Sequence, residues 1–176
     1  MTPQEFKTRF IESLPELPPD LADLGREIRE FVRFPISLVQ NLMIRPPDKA
    51  ILSESGLPNQ ASPFLSFGLS PKDMLQRLSD GYGLDASYDR YSMIGHNGSG
   101  DMICIDEQNE GSVVYLNHDN NMQVVFMNSS VTALAECLCI LAVFMRSKDA
   151  TECRDALQRA DSSAMRSGTF WPNEID

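Results

Sequence analysis

Residues 88–128 read YDRYSMIGHNGSGDMICIDEQNEGSVVYLNHDNNMQVVFMN. Four short, partly alternating apolar runs stand in this stretch: YSMI (91–94), MICI (102–105), SVVYL (112–116) and MQVVFM (122–127). Between them lie HNGSGD, DEQNEG and NHDNN, built from the residues that reverse a chain. Asn97-Gly98, Gly100 and Gly111 supply the backbone freedom that tight turns require. Strand, turn, strand, turn, strand, turn, strand predicts an antiparallel meander.

Downstream, Asn128-Ser129-Ser130 caps the most apolar segment of the chain, Val131 to Met145. Its apolar residues nearly surround a helix axis, which predicts a buried helix packed across the sheet. A more polar helix carrying Cys153, Ala156, Leu157 and Ala160 follows, and the tail closes on Thr169-Phe170-Trp171-Pro172. The only tryptophan is expected to anchor that tail to the body.

Upstream, Thr2-Pro3-Gln4-Glu5 has the spacing of a capping box and opens a helix with Phe6, Phe10 and Leu14 on one face. Leu21, Leu24, Ile28, Phe31 and Val32 recur at helical spacing up to Pro35, predicting a second helix. Phe34 to Ile44 is apolar without a period and leaves strand and helix open. Pro46-Pro47-Asp48 opens a short helix ending at Gly56, and PFLSFGL (63–69) suits a strand. Ser70-Pro71-Lys72-Asp73 has the form of another helix start, with Met74, Leu75 and Leu78 before Gly81. The sum is one α+β domain: an antiparallel meander sheet flanked by helices.

At 176 residues, 42% of them hydrophobic, the chain can bury a core, and no stretch approaches the roughly 20 apolar residues of a membrane span. Met1 to Phe10 lacks the basic flank and apolar run of a secretory signal, so a cytoplasmic location is expected. Cys104, Cys137, Cys139 and Cys153 sit in apolar contexts and read as reduced core residues rather than zinc ligands. The net charge is −10, and residues 48–110, with ten acids against four bases, hold −6 of it. Such a chain repels phosphate backbones and attracts basic proteins. Direct nucleic-acid and membrane binding are therefore not expected, and a basic protein partner is.

Each string that could carry chemistry has a plainer structural explanation. HNGSGD (96–101) leads into a strand, not a helix, and lacks the lysine of a phosphate loop, so it reads as a turn. His118-Asp119 could pair as base and orienting acid with Ser129, Ser130 or a cysteine as nucleophile, but neighbours along a strand point to opposite faces. The acids of the turns, Asp101, Asp106, Glu107, Glu110 and Asp119, suit a solvated rim and are the candidate protein-binding residues. No cofactor and no catalytic activity are expected.

Three strings together carry a family resemblance: residues 94–106 (IGHNGSGDMICID), 111–119 (GSVVYLNHD) and 126–131 (FMNSSV). Arg45-Pro46-Pro47-Asp48, Glu54-Ser55-Gly56-Leu57-Pro58 and Pro63 to Phe67 precede them, and Asp161 and Phe170-Trp171 follow. In this order they resemble the SUKH superfamily, and within it the fourth SUKH immunity subfamily. One departure is His96-Asn97, where the family more often carries an acid or a second glycine. The resemblance spans about residues 45 to 172. It implies a SUKH-like domain over 45–176 with 1–44 as a variable helical lead-in packed on it. It also implies an immunity protein that binds and blocks a bacterial toxin, often a basic nuclease or nucleic-acid deaminase. Eukaryotic relatives resemble regulators of cell-wall synthesis, so the alternative is a scaffold of the same fold binding a housekeeping protein.

Overall fold

The computed structural model describes residues 1–175. In chain order it contains α1 (Pro3–Ser13), α2 (Ala22–Glu27), β1 (Phe31–Val32), α3 (Ile36–Val39) and α4 (Pro46–Ala50). There follow β2 (Leu57–Pro58), β3 (Gln60–Ala61), β4 (Leu65–Ser66) and α5 (Leu78–Tyr82). The meander is β5 (Tyr91–His96), β6 (Met102–Asp106), β7 (Ser112–Asn117) and β8 (Gln123–Asn128), with α6 (Val131–Ser147) and α7 (Ala150–Ala160) closing the fold. The main sheet has six strands, β3 to β8, each hydrogen-bonded antiparallel to the next in sequence. Irregularities between Met93 and Gly95 and between Val113 and Val114 bend it into a curl.

The partial alternation of the four runs has a structural cause: both faces of the sheet are covered. Ile94, Ile103, Ile105, Val113 and Met127 join the larger core with Leu134, Ala135 and Leu138 of α6. Met93, Cys104, Val114 and Leu116 point the other way, into a smaller core with Leu78 at the start of α5 and Tyr91. Helix α6 begins where expected, with Ser130 Oγ accepting from Ala133 N–H at 3.0 Å. The Thr2–Glu5 capping box forms as well. It starts α1 so that Phe6 and Phe10, both buried, pack edge-on against Phe31 at 5.5 and 5.6 Å between ring centres. An ion pair of 2.6 Å, Arg9 to Glu136, ties α1 to α6. Phe6, Phe10, Phe34 and Val39 lie in the same core as Trp171.

Two helical expectations are corrected, and one open segment is resolved. The second helix ends at Glu27, short of Pro35, because Phe31 and Val32 pair as β1 with Pro58 and Leu57. The undecided stretch 34–44 is neither one strand nor one helix: it holds the single turn α3 and then irregular chain, burying Phe34, Val39 and Leu42. No helix starts at Ser70. Its hydroxyl donates to the Asp73 carboxylate at 2.6 Å instead of capping backbone, Leu75 takes a positive φ of 58°, and Leu75 and Gln76 exchange backbone bonds with Met93. The helix there is only α5. The helix opened by Pro46 continues beyond α4 as a π-helical turn, Ile51–Ser55, and ends at Gly56 as expected, where φ is 76°. A side chain there would place its Cβ 2.1 Å from the carbonyl oxygen of Val32, so only glycine lets β1 and β2 approach.

Candidate protein-binding surface

The expected contact residues divide between the two ends of the sheet. Because β6 runs from Met102 to Asp106, the turn holding Asp101 and the turn holding Asp106, Glu107 and Glu110 lie roughly 17 Å apart. Asp119, in the turn between β7 and β8, falls at the Asp101 end, since Asn117 pairs with Gln123 and Leu116 with Met102. The structure therefore brings together Asp101 with Asp119, and Asp106 with Glu107 and Glu110.

Three of the five are buried. Asp106 takes a two-pronged bond from Arg90, with Nε and Nη2 both at 2.7 Å. Glu107 accepts from Met43 N–H and Ser92 Oγ, each at 2.7 Å, and pairs with Arg77. It thereby fastens the β6–β7 turn to the segment after α3 and to the base of α5. Arg77 escaped sequence reasoning because it lay inside the helix expected from Ser70.

Asp101 joins the turns at the other end. It accepts from Asn97 Nδ2 at 2.9 Å and from the backbone N–H of His118 at 3.0 Å, and His118 Nδ1 lies 2.6 Å from its Oδ1. Burial acts to raise its pKa, but the bonds from His118 and Asn97 outweigh that and hold the carboxyl below the usual aspartate range. Only Glu110 and Asp119 of the five are exposed.

The relay considered for His118 is not assembled. Its close carboxylate is Asp101, with Asp119 3.4 Å from Nε2. Ser129 and Ser130 lie past the far end of β8, on the order of 20 Å along the strand from the β7–β8 turn. All four cysteines are buried thiols without a disulfide, and burial pushes Cys137 and Cys139 up to about 12 and Cys153 to about 11, with Cys104 higher still. Such thiols are poor nucleophiles at neutral pH.

Two further buried acids hold the frame. Asp48, fully buried, accepts from Thr132 N–H and Oγ1 at 2.7 Å each, which places a carboxylate at the N-terminus of α6. Asp161 accepts from Ser129 N–H at 2.7 Å and Asn128 Nδ2 at 3.2 Å, and Asn128 Oδ1 accepts from Trp171 Nε1 at 3.0 Å. The expected anchoring of the tail by Trp171 is thus met.

Phe64 is the exposed residue that sequence reasoning missed. It is 84% exposed at the tip of the β3–β4 hairpin, where the expected strand 63–69 has not yet begun. Alternation in PFLSFGL carried the signal, since Leu65 and Phe67 are both buried and Phe64 falls on the opposite side.

Among the described residues no helix is long and apolar enough to cross a membrane. No curated protein and no solved structure matches the chain. The family model of the SUKH-4 immunity protein matches it over residues 19–176.

Proposed function

We propose, because this chain belongs to the SUKH-4 immunity protein family, that it neutralises a basic toxin acting on nucleic acid, by binding it and without catalysis. The family match over 19–176 carries the reading and implies a cognate toxin as partner. The charge supports the toxin class. Enzymes that hold nucleic acid present Lys and Arg to phosphates, and a partner of net charge −10 complements such a surface. The exposed turn acids, Glu110 and Asp119, are the candidate contacts. Asp101, Asp106 and Glu107 act beneath them by fixing the turns. The site of action is the cytoplasm, where a nucleic-acid toxin meets its substrate.

The test is co-expression with the protein encoded beside it. Cells carrying that protein should grow only when this chain is present, and the two should purify together. Absence of both protection and complex would refute the reading.

A further inference from the structure

With α6 and α1 over one face of the sheet and α5 with its flanking segments over the other, the meander offers a partner its two ends. The ends differ in charge and in shape. At the Glu110 end the two buried acids are matched, Asp106 by Arg90 and Glu107 by Arg77, with Arg45 exposed nearby beside Asp48, while Glu110 faces solvent. At the other end the acids meet the imidazole of His118 and no Lys or Arg. Residues 57–71, 91–105 and 112–128, which form the β3–β4, β5–β6 and β7–β8 turns and their strands, contain Asp101 and Asp119 but no Lys or Arg.

These three turns are joined into one platform. The hydrogen bonds of Asp101 to Asn97 and His118 link the second turn to the third. The first rests on the second: a Cβ at Gly98 would lie 2.9 Å from the Cβ of Phe64, so the glycine lets the base of Phe64 press against the β5–β6 turn. The phenyl ring projects into solvent from that support, on a backbone with φ of 73°. Asp119, with its side chain 84% exposed and the His118 imidazole 3.4 Å away, is the solvent-facing carboxylate of the same platform. An exposed aromatic face is suited to the stacking of an arginine, and an exposed carboxylate farther along the same platform to a second cation of the same basic segment.

We infer that the sheet end formed by Phe64, the Gly98–Gly100 turn and Asp119 is the surface that docks the toxin, and that it receives an arginine-bearing basic segment with Phe64 as the aromatic anchor. This rests on the proposed toxin-binding role and goes beyond it by choosing one end of the sheet and one partner chemistry.

The experiment uses the full chain and the protein encoded beside it, purified in a catalytically inactive form, with Kd measured by calorimetry and the footprint by hydrogen exchange. Phe64→Ala should weaken binding about 30-fold or more, as aromatic anchors do, and Asp119→Asn about fivefold. Asp155→Asn, on the exposed side of α7, should leave Kd unchanged. Thermal unfolding should be the same for all three, since none of these side chains is buried. Amides of Ser62, Phe64, 97–101 and 118–122 should gain protection in the unmodified complex, a readout that needs no variant. Undiminished binding by both Phe64→Ala and Asp119→Asn, or protection confined to residues 106–111, would overturn this assignment while leaving the toxin reading intact. Failure of the unmodified protein to bind would overturn both.

Discussion

Asp101 shows how little a residue's charge says about its role. In the sequence it is one of five acids in turns, equivalent to its neighbours. In the structure it is an internal acceptor that unites two turns through Asn97 and His118. Burial could not be foreseen, because the bonds that compensate it come from a residue 17 positions away. Its lowered pKa has a consequence for stability. A carboxyl held below its unfolded value stabilises the fold above that unfolded value, and the contribution is lost as pH falls through the folded one. Asp101→Asn should therefore lower stability at neutral pH, and the loss should shrink as pH falls through the folded pKa and the native residue takes up its proton. Urea unfolding midpoints at neutral pH and at successively lower pH check this; a loss that does not change with pH would show that the charge is not what stabilises. Asp119, one residue from His118 and exposed, should show no such loss at any of these pH values.

At the scale of elements, β5 to β8 and α6 were legible because local and tertiary preferences agree there. Short apolar runs, turn residues between them and a serine cap all favour one arrangement. The segments that were misread are those where a distant partner decides. Ser70 to Asp73 has the residues of a helix start, yet Leu75 and Gln76 bond to Met93 across the sheet edge. Phe31 and Val32 keep helical spacing with Leu24 and Ile28, yet pair with β2. Phe64 was hidden by the strand assigned over it. Asp48 was legible as the opening of α4 but not as the acid at the N-terminus of α6, which begins 83 residues later. Removing it should cost more than a surface cap. Asp48→Ala leaves Thr132 N–H and Oγ1 without their acceptor in a buried site, and should destabilise the protein by about 2–3 kcal/mol. Chemical denaturation gives that value directly; a loss below about 0.5 kcal/mol, the range of an ordinary surface substitution, would mean the carboxylate does not hold α6.

The whole molecule is a sheet with both faces covered and its charge sorted between its ends. One end pairs its buried acids with Arg77 and Arg90, and the other, whose turns carry no Lys or Arg, presents Asp119 and Phe64 to solvent. On the proposed function this chain needs no cleft: the toxin would supply the active site and this chain a complementary surface. A chain of net charge −10 would attract a basic toxin at long range and speed their encounter, while the proposed anchor, Phe64, would govern how long they stay together. The central claim is neutralisation by occupancy rather than by chemistry. Titrating this protein into a fixed amount of the neighbouring toxin, with the toxin's activity on nucleic acid as readout, tests that claim most directly. Activity should fall linearly and vanish at one equivalent, and separating the partners should restore it. Progressive inactivation by a small fraction of an equivalent would show a catalytic mechanism, and full activity in the presence of excess protein would show no neutralisation; either result contradicts the account.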